Sequence, residues 1–147
     1  MTSIAQLTAS DHDEWMSLWW GYLEFYETML PPQQTVLTFQ RILDPASEIQ
    51  GAIARDAAGR AVGITHWLTH PATWSARPYC YLEDLYVDPG VRRTGAGAAL
   101  IEHVRDWAEE HGCQKVYWLT QKHNHTARSL YNRLATDTGF VQYEIGL

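Results

Sequence analysis

Three short stretches hold the residue types that could do chemistry. VRRTGAGAAL (residues 91–100) runs two arginines into Gly95 and Gly97, and then into an apolar segment. YLEDLYV (residues 81–87) sets Glu83 beside Asp84 in an otherwise apolar, aromatic run, and NHTARSLYNR (residues 124–133) places Tyr131 seven positions after Asn124. The glycine stretch fits neither the P-loop, GxxxxGK[ST], nor the dinucleotide fingerprint, because GAGAAL carries Leu100 where GxGxxG needs its last glycine. It does fit [Q/R]-x-x-G-x-[G/A] over Arg92, Arg93, Thr94, Gly95, Ala96 and Gly97. The first backbone N–H groups of a helix have no intrahelical partners and carry the positive end of its dipole. Glycines there let an anion approach the backbone, so a pyrophosphate fits, with Arg92 and Arg93 adding charge. The same six residues also suit a tight strand-to-helix turn with two solvated arginines.

These stretches need elements to position them. Residues 3–8 read as a short strand. Asp11 opens a helix with Glu14 at capping-box spacing, and Trp15, Leu18, Trp19, Tyr22, Leu23 and Tyr26 share one apolar face. Pro31-Pro32 closes that segment, and a short helix is predicted over 38–43. IQGAIARD, the turn AAGR and AVGITHWLTH alternate as a hairpin, and YCYLEDLYV reads as a third strong strand. A helix is expected over about 95–111, with Gly112 as its stop. KVYWLTQ follows as a strand, then a helix over about 126–135, and GFVQYEI as a final strand. The order implies an α/β fold with a mixed central sheet flanked by helices. The crossover from YCYLEDLYV to KVYWLTQ makes those two strands a parallel pair.

A chain of 147 residues is expected to form one domain, here spanning 1–147, with a core that needs no disulfide. Cys80 and Cys113 fit no metal-site spacing and read as free buried thiols. The net charge of −6 disfavours sequence-independent nucleic-acid binding and suits a cationic partner such as an amine. No targeting signal or spanning segment is legible, so a cytoplasmic protein without membrane partners is expected. Seven Trp and eight Tyr are many for this length and point to an aromatic pocket or interface beside the core.

Several residues have two readings. Trp20, Glu24 and Glu27 on the first helix could receive a cationic amine by cation–π attraction and charge, or form the solvated edge of a core helix. His70 and Trp74 could line an acceptor pocket or pack a loop. The pairs His66/His70 and His123/His125 lack a carboxylate or thiol at convincing spacing, so no metal site is expected. Strand alternation sends Glu83 and Asp84 to opposite faces, one to a cleft and the other to a surface pair.

In order, LEDLYV, RRTGAG, WLT and N-x-x-A-x-x-x-Y resemble the GNAT superfamily of acetyl-CoA-dependent N-acetyltransferases, from about residue 49 to the end. ATWSARPYCYLEDLYV looks most like its polyamine and histone/polyamine branch. The resemblance implies that Leu85, Tyr86 and Val87 pair by their backbone with the pantetheine arm. It implies that residues 92–97 hold the pyrophosphate and that Asn124 and Ala127 touch the cofactor. Tyr131 would be the general acid to the departing thiolate, and also a cofactor contact; Glu83 would be the general base. One departure is Arg93, where many members carry the first glycine of R-G-x-G-x-G. The implied activity is direct acetyl transfer to a small, polyamine-like primary amine. A protein lysine or N-terminal amine as acceptor is the alternative within enzymes, and a non-catalytic acyl-CoA-binding module the alternative outside them. The branch also implies a homodimer, its two-fold axis pairing the strand GFVQYEIGL.

Overall fold

The computed structural model describes residues 1–91 and 94–147; Arg92 and Arg93 lie outside the described residues. Five strands form one sheet in the order β1-β2-β3-β4-β5: β1 (Ser3–Gln6), β2 (Gln50–Arg55), β3 (Ala61–His70), β4 (Tyr79–Val87) and β5 (Lys115–Tyr117). The first three pairings are antiparallel, and β4–β5 is the expected parallel pair. The helices are α1 (His12–Phe25), α2 (Pro32–Leu43), α3 (Ala96–Glu110) and α4 (His125–Leu134).

Both faces of the sheet are covered, as near-continuous apolar strands require. On one face Ile53 and Ile64 pack with Trp15, Leu18, Trp19 and Leu23 of α1 and with Phe39 and Ile42 of α2. On the other, Ala52, Trp67, Cys80 and Leu82 pack against Ile101, Val104 and Ala108 of α3, and Ala54 and Val62 meet Ala96 and Leu100. Complete burial of a side chain such as Leu100 stabilises the fold by about 2 kcal/mol. Cys80 and Cys113 are buried free thiols. Burial pushes the Cys80 thiol up to about 12, which keeps it protonated and unreactive.

Local chemistry departs from the sequence reading in four places. The capping interaction begins one turn earlier than expected: Thr8 N–H donates to Asp11 Oδ2 at 2.8 Å, and Glu14 instead pairs with Arg55 of β2 at 2.9 Å. The second helix is longer at its start because Pro32 stands in its first turn, where a missing N–H costs nothing. β5 ends at Tyr117 rather than running to Gln121, since β4 and the chain after β5 diverge beyond the pair Tyr81–Tyr117. The final strand does not form within this chain. Among the described residues no helix or strand follows Leu134, and Phe140, Val141, Tyr143 and Ile145 are exposed. None of the helices among the described residues is long and apolar enough to cross a membrane.

Candidate active site

The divergence of β4 from the segment after β5 opens a cleft of about 440 Å³. Tyr81, Leu82, Glu83 and Leu85 of β4 form one wall. Trp118 to Gln121 form the opposite wall, Tyr22 of α1 and Tyr26 just beyond its end close one side, and Tyr131 of α4 reaches in from another. Among the described residues the β4–β5 ladder ends at the pair Tyr81–Tyr117.

A bulge sets the side chains of β4. His66 pairs with Asp84 and Trp67 with Leu82, leaving Glu83 as the extra residue. One added residue shifts the period-two alternation, so Cys80 and Leu82 pack against α3 while Asp84 turns to the α1 side. This corrects the expectation of one cleft carboxylate and one surface carboxylate. Glu83 borders the cleft, whereas Asp84 is drawn inward. Asp84 Oδ2 is 2.9 Å from His66 Nδ1, and its Oδ1 accepts from the Tyr22 hydroxyl at 2.5 Å. His66 is buried, and its Nε2 accepts from the Trp15 indole N–H at 3.0 Å. That contact puts the ring proton of neutral His66 on Nδ1, facing Asp84. Burial raises the Glu83 carboxyl above its ordinary range, and Asp84 adds to the rise.

Tyr131 lies one turn beyond Ala127 on α4, with its ring edge-on to Trp118 at 5.4 Å. Burial pushes its hydroxyl up to about 12, with Tyr26 adding to the rise, so at neutral pH it holds its proton. Asn124 caps α4 and borders a neighbouring hollow formed by Phe25, Tyr26, Glu27 and Gln121. Gly95 precedes α3 with φ +85°, a conformation that favours glycine, and Thr94 Oγ1 donates to Val91 O at 2.8 Å. Ala96 is buried, and Gly97 lies against Leu130 of α4. The described part of the glycine stretch thus leads directly into α3, whose first turn exposes helix N–H groups as an anion site requires.

The Acetyltransferase (GNAT) family profile matches residues 12–135, most of the chain and every element from α1 to α4. The chain belongs to that family. It is 37% identical over 142 residues to the D-amino-acid N-acetyltransferase HPA3 of Saccharomyces cerevisiae, covering 96% of this chain and 88% of the relative. It is 30% identical over 143 residues to the N-acetyltransferase YhfO of Bacillus subtilis, covering 96% and 95%. Among solved structures it is similar to AAC(6')-Iy in complex with the bisubstrate analogue CoA-S-monomethyl-acetylneamine. That likeness has a TM-score of 0.86 at 20% identity and covers 100% of this chain and 99% of that one. This GNAT protein is an N-acetyltransferase, and acetyl-CoA is its acetyl donor.

Of the site residues read from the sequence, Glu83, Leu85 and Tyr131 meet in the cleft. Tyr86 faces α1, where its hydroxyl crowds Gly21, and Val87 packs near Ala96. The four acceptor-pocket candidates lie outside the cleft lining. Trp20 and Glu24 are exposed on α1, and Trp74 is exposed on its loop. His70 bridges Pro71 O at 2.8 Å and the Tyr117 hydroxyl at 2.7 Å. Sequence reading missed Tyr22 and Tyr26 as site residues. Their i, i+4 spacing along the first helical segment was legible, but it reads equally as core, and only the position of α1 over β4 distinguishes the two. No group of three or more His, Cys, Asp or Glu able to hold a metal occurs among the described residues.

Proposed function

We propose that the acceptor is a small cationic primary amine, polyamine-like rather than an amino acid. The observation that supports this reading is the composition of the cleft. Glu83 lies within it, four tyrosines line it, and no Lys or Arg is among its described lining residues. An ammonium finds a carboxylate and aromatic faces there, while an amino-acid carboxylate would meet no Lys or Arg among the described lining residues. Acetyl-CoA supplies an activated thioester when bound, with Leu85, Tyr86 and Val87 of β4 and the stretch 92–97 as its cradle, and Asn124 and Ala127 alongside. Glu83 takes a proton from the ammonium, whose ordinary pKa of about 10 otherwise leaves no free nucleophile. A backbone N–H of β4 faces the carbonyl oxygen, and Tyr131 protonates the departing sulfur. Much of the acceleration comes from holding amine and thioester side by side.

A second reading takes support from the relative HPA3, whose name specifies D-amino acids. Thiol release from acetyl-CoA with spermidine, putrescine, D-amino acids, an aminoglycoside and a lysine peptide separates the two. Turnover with the polyamines is expected; turnover confined to D-amino acids would overturn the polyamine reading.

We also propose a homodimer in which the segment after Leu134 pairs with a second copy. Its apolar residues are exposed, and Phe140, Gln142 and Glu144 alternate with Val141, Tyr143 and Ile145 as a strand would. Light scattering at micromolar concentration should give twice the chain mass, and truncation after Thr138 should give the monomer.

A further inference from the structure

Acetylation of a primary ammonium removes two protons from nitrogen, one before attack and one as the amide forms. A single carboxylate such as Glu83 accepts one of them. We propose that Tyr22 and Asp84 form the second exit: Tyr22 Oη accepts the amide-forming N–H while its own proton passes to Asp84 Oδ1. This rests on the amine-acetylation reading above but not on the polyamine assignment.

The geometry carries it. A carboxylate only accepts hydrogen bonds, so the Tyr22 hydroxyl must donate to Asp84 across their 2.5 Å contact. Its proton is thereby committed, and what Tyr22 offers the cleft is a lone pair. Tyr131 presents the opposite case, a hydroxyl in the same cleft with its proton available. The two tyrosines therefore divide the work, one receiving from nitrogen and one giving to sulfur. Asp84 is held for this role by His66 Nδ1 at 2.9 Å, and His66 by the Trp15 indole at 3.0 Å. The Trp15–His66–Asp84 chain joins α1, β3 and β4 behind the cleft and fixes which carboxylate oxygen faces Tyr22. Burial, then the charge of Asp84, raises the Tyr22 hydroxyl above its ordinary range, so it remains a neutral relay rather than a phenolate.

The step balances. The N–C bond forms and the C–S bond breaks. One amine proton moves to Tyr22 Oη, the Tyr22 proton moves to Asp84, and Tyr131 supplies the proton that sulfur takes. Asp84 and Glu83 then release theirs to solvent, and one of these is returned to Tyr131, which leaves one net proton per turnover. Tyr22 is a catalytic residue in this scheme, and Asp84, His66 and Trp15 are positioning residues.

Tyr22→Phe tests it, since the ring that stacks on Trp19 at 5.3 Å is retained. The expected result is a fall in kcat of at least tenfold with the best amine, with acetyl-CoA Kd and amine KM changed less than threefold. Asp84→Asn in the Tyr22→Phe background should add less than twofold, because both act in one step. A Tyr22→Phe enzyme that keeps kcat within threefold of wild type overturns the relay. A wild-type enzyme that binds acetyl-CoA yet releases no thiol with any amine would overturn the acetyl-transfer reading itself, and the relay with it.

Discussion

Gly97 of α3 faces Leu130 of α4 so closely that a Cβ at position 97 would stand 3.1 Å from Leu130 Cδ2. Leu130 immediately precedes Tyr131, so this contact sets the distance between the glycine stretch and the proposed acid. Gly95 is glycine for another reason: a Cβ there would meet nothing within 4 Å, but φ is +85°. Gly95→Ala should therefore cost roughly 1–2 kcal/mol through backbone strain. Gly97→Ala should stay within about 1 kcal/mol of wild type, as helix propensity offsets a small shift of a flexible leucine end. Gly97→Val should displace α4 and lower turnover more than it lowers Tm. Urea unfolding of the three variants, alongside their rates, checks this.

Replacing Tyr131 with Phe removes one hydroxyl from a cleft-lining ring while the edge-on contact with Trp118 persists. General acid catalysis typically contributes about 10²–10⁴-fold. Turnover should fall by that order, and acetyl-CoA affinity by less than threefold. Unchanged turnover would remove Tyr131 from the proposed mechanism.

The Glu83 carboxyl titrates above its ordinary value, chiefly through burial and then through Asp84. The folded state therefore holds this proton more tightly than the unfolded chain, and stability falls as pH rises from about 4.5 through the raised folded value. Glu83→Gln should remove that loss, so the variant should be at least as stable as wild type at pH 7 while its turnover drops. Thermal unfolding at pH 4 and pH 7 should show the stability of Glu83→Gln relative to wild type increasing from the lower to the higher pH.

Trp15→Phe deletes the indole N–H that satisfies His66 Nε2, in a region where both residues are almost wholly buried. Leaving that acceptor unpaired costs roughly 1–3 kcal/mol, beyond any cost of lost volume. Denaturant midpoints should shift accordingly, and amine turnover should fall less than in Tyr22→Phe, because Tyr22 and Asp84 remain in place.

Much of the architecture was legible along the chain. Alternation over YCYLEDLYV and the hairpin at AAGR specify β4, β2 and β3, and the apolar period after Gly95, stopped at Gly112, specifies α3. These signals are local: a strand or helix declares itself by the spacing of its own apolar residues and by residues that stop it. The stretch 92–97 and the N-x-x-A-x-x-x-Y run also carry the family resemblance by residue type and order alone.

What sequence did not determine depends on contacts between distant segments. The bulge opposite His66 and Trp67 exists only when β3 and β4 pair, and it turns Asp84 inward and leaves Glu83 at the cleft. Tyr22 meets Asp84 across 62 positions of chain, a partnership that periodicity in α1 cannot reveal. GFVQYEI has strand alternation, but an edge for it to pair with is a property of the assembled sheet or of a second copy. Local pattern chose the elements; the placement of α1 over β4 made them a site, because hydrogen bonds and desolvation depend on proximity in space rather than along the chain.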